Sequence, residues 1–228
     1  MVRGNDLVDR ETLLKGIAEM INSVQRRHPV RVAVDGVDAA GKTVFADELE
    51  PLLEERGREV IRSSMDWFHN PQKLRHVRGR MDPEGYYLDS FNYRVLLDYL
   101  LLPLGPGGSL IYMDKAFDYR IDQRLDEPFK KASGDAILLF DGVFLLRPEL
   151  ERLWDLKIYL DVTFGESLRR GLEREASNSS DVEEIYTNRY IPGQKLYHIH
   201  SAPQRKADIV IDNNDPRNPR ITYMNPDL

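Results

Sequence analysis

Val30-Arg31-Val32-Ala33-Val34-Asp35-Gly36-Val37-Asp38-Ala39-Ala40-Gly41-Lys42-Thr43 is the stretch whose reading decides the fold. Its last eight residues follow the pattern G-x-x-x-x-G-K-[ST], a phosphate-binding loop. The apolar residues 30–34 ahead of it read as a buried strand. Residues 44–53 behind it read as a helix with Phe45, Leu49, Leu52 and Leu53 on one side. A strand, a glycine loop and a helix N-terminus together form an anion cradle: backbone N–H groups and the helix dipole favour negative charge, Lys42 bridges phosphates, and the Thr43 hydroxyl ligates Mg²⁺. Gly36, Val37, Asp38, Ala39, Ala40, Gly41, Lys42 and Thr43 are therefore expected to bind a nucleoside triphosphate.

Working outward, helix and strand alternate. Residues 9–26 keep helical spacing through Leu13, Leu14, Ile17, Met20, Ile21 and Val24, with Asp9 as N-cap. Strands are expected at 59–65, 136–140, 156–160 and 207–211, and helices at about 93–101, 166–176 and from 182 towards 198. Strands separated by helices imply βαβ units with right-handed crossovers. The expected architecture is a three-layer α/β/α fold with a mostly parallel sheet, read as one domain over 1–228. Its core covers about 30–215, helices in 165–200 form a lid, and residues 1–8 and 216–228 are frayed.

Ligands in such sheets bind beyond the carboxyl ends of the strands. The expected strands stop at Gly36, Asp66, Asp141 and Asp161, which sets carboxylates at the phosphate-loop end. A kinase needs a base near the acceptor hydroxyl, metal-organising carboxylates and cations over the transferring phosphoryl group. Asp66 is the candidate base, Asp141 with Thr43 the candidate metal site, and Asp161 is read as structural. On the helix after Asp161, Arg170 and Arg174 lie four apart and share a face, so both can reach one phosphate; Arg169 stands among Glu166, Glu173 and Glu175. The basic run Lys73, Arg75, His76, Arg78, Arg80 reads as an exposed loop beside the acceptor site, able to hold an acidic or phosphorylated substrate. Tyr86 and Tyr87 are expected to wall that site or join the core. His198 and His200 read as surface residues.

The chain has 228 residues, net charge −6 and no cysteine. The acidic balance argues against a nucleic-acid or anionic-membrane surface. Without cysteine, neither a disulfide framework nor a thiolate metal site is available. No apolar run approaches the roughly 18 residues that span a bilayer, and the N-terminus shows no signal core, so a cytoplasmic location is expected. The Asn178-Ser179-Ser180 sequon is expected to be idle. A guanine-reading Asn-Lys-x-Asp motif is missing, since Met113-Asp114-Lys115-Ala116 does not supply one.

The order of motifs Asp66-Trp67-Phe68-His69, Asp89-Ser90-Phe91, Phe117-Asp118 and Asp141-Gly142-Val143-Phe144 resembles the uridine kinase and phosphoribulokinase group of small-molecule kinases. Residues 206–213, Lys-Ala-Asp-Ile-Val-Ile-Asp-Asn, are similar to that group's closing strand. The likeness runs from about 30 to 215. It implies Mg·ATP as donor and a small hydroxyl-bearing acceptor, uridine or cytidine first, with a sugar, glycerate, pantothenate or sugar phosphate as the alternative. It also implies Asp66, Lys42 and Arg174 as catalytic residues, with Arg170 on ATP. Asp66, His69, Tyr87, Asp89, Phe117 and Asp118 would meet the substrate, Asp89 through ribose hydroxyls. A homo-oligomer is common in the group. The sequence departs from it at Phe117, where the group has Tyr; at Asp122, near its base-reading His; at Asp141, usually Glu; and at 178–181, where the lid often carries Gly-Arg-Asp.

Overall fold

The computed structural model describes residues 9–174 and 179–228. Its central sheet has six strands: β1 (Val30–Gly36), β2 (Val60–Ser64), β3 (Ile137–Gly142), β4 (Leu156–Asp161), β5 (Ile209–Asp212) and β6 (Arg220–Met224), in the order β6-β5-β4-β1-β3-β2. All pairs are parallel except β5–β6. β1 and β3 are buried along their whole length, because helices cover both faces and the strand apolar pattern is continuous rather than alternating.

The helices are α1 (Arg10–Ser23), α2 (Lys42–Glu54), α3 (Pro83–Asp89), α4 (Tyr93–Leu96), α5 (Phe164–Arg174), α6 (Ser179–Ile185) and α7 (Ile191–Ser201), with shorter turns between them. Ile17, Ile21, Phe45 and Leu49 of α1 and α2 pack with Val32, Val34, Leu139 and Ile158 on one face. Tyr86, Leu96 and Tyr197 of α3, α4 and α7 pack with Ala33, Leu138, Phe140 and Tyr159 on the other. The fold is thus the three-layer α/β/α arrangement of phosphate-loop nucleotide-binding proteins, with mostly parallel strands. Asp9 caps α1 as expected, its carboxylate accepting from Thr12 N at 2.7 Å.

Three expectations change. The helix expected from 182 towards 198 is interrupted: α6 leads into a π segment, Tyr186–Tyr190, before α7. Pro192 has no N–H for the helical ladder, so the spacing widens just ahead of it. The tail 216–228, expected to fray, contributes β6. A turn at Asp215, which accepts from Arg217 N at 3.0 Å and Asn218 Nδ2 at 2.8 Å, returns the chain antiparallel to β5. All five β6 residues are exposed, so main-chain pairing rather than burial holds this edge. Two short ribbons, Ile111–Tyr112 with Lys130–Lys131 and Phe117–Asp118 with Gln123–Arg124, form in a region where no strand is expected from the sequence. Residues 1–8, the expected end of the lid helix at 175–176 and Asn178 of the sequon lie outside the described residues. Among the described residues, no helix is long and apolar enough to cross a membrane.

Candidate active site

The carboxyl ends of β1, β3 and β2 are neighbours, and the register sets Asp141 beside both Val34 and Ser64. This brings the loop after β1, Asp141 on β3 and Asp66 just past β2 to the rim of one cleft of about 770 Å³. Two strand-end carboxylates, Asp66 and Asp141, line it. Asp161 does not; Gln204 Nε2 donates to it at 2.8 Å on the far side, in keeping with a structural role.

Gly41 caps α2 at φ +89°, a left-handed backbone that glycine adopts without strain. A Cβ at Gly36 would come within 2.7 Å of the Leu160 carbonyl, so only glycine fits at the end of β1. Lys42 Nζ donates to the Val37 carbonyl at 2.7 Å, curled into the loop it serves. The loop is also tied to the helices above. Asp38 accepts from Tyr86 Oη at 2.9 Å and Gln194 Nε2 at 3.0 Å, and Ser167 Oγ donates to its carbonyl at 2.6 Å. Beneath it, fully buried Asp35 accepts from Gly36 N at 2.7 Å, from Leu146 N at 3.3 Å and from the Tyr197 hydroxyl. Burial outweighs these donors and pushes its carboxyl up to about 6.

Thr43 Oγ1 donates to Asp141 Oδ2 at 2.7 Å, and Arg62 Nη1 lies 2.7 Å from Asp141 Oδ1. A hydroxyl and a buried carboxylate side by side suit Mg²⁺, which takes one or two protein oxygens and completes its shell with water and phosphate. The residues therefore fit that ion.

Asp66 opens onto the cleft with its side chain exposed there and protein on its remaining sides. Loss of hydration and the nearby Asp141 charge push its carboxyl up to about 6, against the opposing pull of Lys42 and Arg174. His69 is wedged between Phe91 and Tyr119, ring centroids 4.5 and 4.7 Å away. Desolvation, with Arg75 and Arg189 nearby, lowers it to about 4, which keeps it neutral. Arg170 and Arg174 both line the cleft. Arg170 also reaches the loop, its Nη1 donating to the Ala39 carbonyl at 3.5 Å, and it donates to the carbonyls of Asn213 at 2.8 Å and Asn214 at 3.0 Å and to Glu166 at 2.7 Å. Arg169 pairs outward with Glu166 and Glu173, a solvated face.

Of the other expected substrate residues, four stand away from the cleft. Tyr87 is 7% exposed within an aromatic cluster against Phe144 and Arg147, while its neighbour Tyr86 lines the cleft; the helix turns one tyrosine to the core and the other to the site. Asp89 accepts from Arg78 Nε at 2.9 Å. Phe117 is buried in its ribbon, and Asp118 pairs with Arg120 at 2.9 Å. Tyr119, in the turn just past that strand, reaches the cleft instead. His198 is half-buried, 2.8 Å from the Tyr159 hydroxyl, rather than a plain surface residue; His200 is exposed and stacks on Tyr87. Sequence reading missed Arg62, Tyr119, Arg189 and Tyr190. Arg62 carried a signal, a lone cation two residues before a strand end; the last two lie in a helix whose facing residues could not be read.

No family model matches the chain. A uridine kinase from Clostridium botulinum is 25% identical over 190 residues, covering 81% of this chain and 88% of the relative. A uridine-cytidine kinase from Danio rerio is 26% identical over 215 residues, 89% of this chain and 79% of the relative. In structure, a protein from Bacillus stearothermophilus described as a possible uridine kinase superposes with a TM-score of 0.68 at 21% identity, covering 86% and 96% of the two chains. A D-glycerate 3-kinase from Cryptococcus neoformans gives 0.58 at 14% identity, covering 96% and 99%. With its phosphate loop, strand-end carboxylates and arginine-bearing helix, the chain is similar in sequence to uridine kinases and shares the fold of these solved phosphate-loop kinases.

Proposed function

We propose that this kinase moves the γ-phosphoryl group of ATP, with Mg²⁺, to a hydroxyl of a small metabolite, and that Asp66 is the base. The single observation that carries the proposal is Asp66, its carboxyl pushed up to about 6, in the cleft that also holds Lys42, Asp141 and Arg174. A base poised near working pH accepts a proton best. An acceptor site with its own strand-end carboxylate has no purpose in a nucleotide switch.

The loop residues Gly36 to Thr43 bind the phosphates through backbone N–H groups, and Lys42 swings from the Val37 carbonyl to the phosphate oxygens. Thr43 and Asp141 hold Mg²⁺, which when bound neutralises charge on the donor phosphates. Asp66 accepts the hydroxyl proton and aligns the oxygen for in-line attack. Arg174 faces the same space and meets the charge on the transferring group. Arg170, which donates to the Ala39 carbonyl of the phosphate loop as well as to Asn213 and Asn214, keeps the loop in register with the lid. The helices over the cleft keep water from competing with the acceptor. The reading includes one catalytic domain and no nucleic-acid or membrane partner.

The relatives' names make uridine and cytidine the first acceptors to test. A second reading, a different hydroxyl acceptor, is favoured by Asp122: where the resemblance expects a base-reading histidine, this carboxylate pairs with Arg75 at 3.2 Å. A coupled ADP-release assay with nucleosides, sugars, glycerate, pantothenate and sugar phosphates tests both, with Asp66→Asn alongside. Acceptor-dependent turnover that Asp66→Asn abolishes is expected. Acceptor-independent hydrolysis, indifferent to Asp66, would refute the transfer reaction.

A further inference from the structure

Beyond the acceptor end of the cleft lies a smaller annex of about 160 Å³. It shares His69, Tyr86, Tyr119 and Tyr190 with the main cleft, so these aromatic side chains form a common wall. Arg75, Arg80 and Arg189 line the annex with His76, and no carboxylate does so among the described residues. Three cations converge on one small space.

Arg189 is the informative one. It is 7% exposed, its Nη1 donates to the Arg80 carbonyl at 2.6 Å, and its Nε has no hydrogen-bond partner. Arg75 repeats the pattern: its Nη2 reaches Asp122 at 3.2 Å while its buried Nε is left without a partner. Burying a guanidinium beside two others, with donors unused, is costly unless an anion completes the set. The fork geometry of arginine matches the paired oxygens of a carboxylate or phosphate. Arg189 stands in the π segment ahead of Pro192, whose widened spacing alters which side chains face inward. The Arg189–Arg80 bond also fastens the basic loop against that segment.

Resting on the kinase reading, we infer that the acceptor is itself an anion: a metabolite whose carboxylate or phosphate group docks on Arg189 and Arg75 while its hydroxyl lies at Asp66. Asp122 stays with Arg75 and orients it. A neutral nucleoside would bring no anion to Arg189 or to the unused Nε of Arg75.

The test pairs two measurements on the full chain. The ADP-release assay compares neutral nucleosides and sugars with hydroxy acids and sugar phosphates, on wild type, Arg189→Gln and Arg189→Lys; the hydroxy-acid and sugar-phosphate arms tell carboxylate from phosphate. The second measures inorganic phosphate binding by calorimetry, with a non-hydrolysable ATP analogue and Mg²⁺ filling the phosphate loop. The inference expects an anionic acceptor to be preferred, with its KM raised roughly 10- to 100-fold by Arg189→Gln, kcat changing less, and Arg189→Lys recovering part of the loss. A neutral acceptor used as well as any anion, with Arg189→Gln indifferent, overturns it and leaves the kinase reading standing. Should no acceptor be turned over, the kinase reading fails and phosphate binding decides. Uptake by wild type that Arg189→Gln abolishes supports the anion site, and no uptake overturns it.

Discussion

Arg62 Nη1 lies 2.7 Å from Asp141 Oδ1, so the carboxylate proposed to organise Mg²⁺ already has a cation on one oxygen and the Thr43 hydroxyl on the other. Arg62 also reaches Asp47 at 3.0 Å from β2, which anchors it beside the site. A positive charge this close opposes a second one. Arg62→Gln should therefore lower the Mg²⁺ concentration giving half-maximal ADP release, by roughly 2- to 10-fold. Asp141→Asn should cut turnover about 100-fold or more, because the anionic oxygen is gone. A magnesium titration checks both. An unmoved or raised midpoint in Arg62→Gln would contradict this account.

Asp66 must be ionised to accept a proton, and its carboxyl sits at about 6. The acid limb of kcat/KM should therefore rise with pH through about 6 and level off above it. Asp66→Asn should remove activity and with it the limb. A profile that stays flat from about pH 5 to 8 would assign the base elsewhere.

Asp35 and Tyr197 couple pH to stability. Burial raises Asp35 from 3.8 to about 6, so the folded state binds this proton more tightly than the unfolded chain. Its contribution is fully present below pH about 4 and is lost as pH climbs through 6, by about 3 kcal/mol in all. Tyr197→Phe removes a donor to the carboxylate and should cost about 1–3 kcal/mol at neutral pH and less at pH about 4. Urea unfolding at the two pH values measures this; equal costs would show that the charge on Asp35 plays no part.

Gly171 on α5 faces Tyr186 so closely that a Cβ would sit 2.4 Å from its ring. That ring is 1% exposed and has nowhere to go. Gly171→Ala should cost about 1–3 kcal/mol through overpacking and push α5 away from the segment Tyr186–Tyr190. Thermal unfolding reads the first effect and the KM for ATP, expected to rise, reads the second. An unchanged melting temperature would mean that these helices pack more loosely than their geometry indicates.

Local signals in the sequence carried much of the fold. The phosphate loop, the apolar strands and the Asp9 cap are decided by neighbours in the chain, so residues 30–54 and α1 were legible to within two or three residues at each end. The break at residues 186–190 was not, although Pro192 stood in plain view, because a proline reports a lost hydrogen bond and not how the ladder re-forms around it. β6 was hidden for another reason: its five exposed residues carry no burial pattern, and only the adjoining edge of β5 gives them a partner.

The candidate site divides in the same way. Lys42, Thr43, Asp66 and Asp141 were readable because loop chemistry and strand ends place them wherever a parallel sheet forms. Tyr86 rather than Tyr87 was decided by which side of a helix faces the cleft, and Tyr119 rather than Phe117 by the turn that follows the ribbon strand. That depends on packing against elements far away in the chain. Arg75, Arg80 and Arg189 are more than a hundred residues apart at the extremes, and meet only because the segment Tyr186–Tyr190 packs over the loop after β2. The sequence by itself determined that this chain binds a nucleotide on a parallel sheet, since phosphate loops and strand ends are local. Only tertiary structure decided what surrounds the acceptor, because a pocket is made of side chains whose single shared property is their position in space.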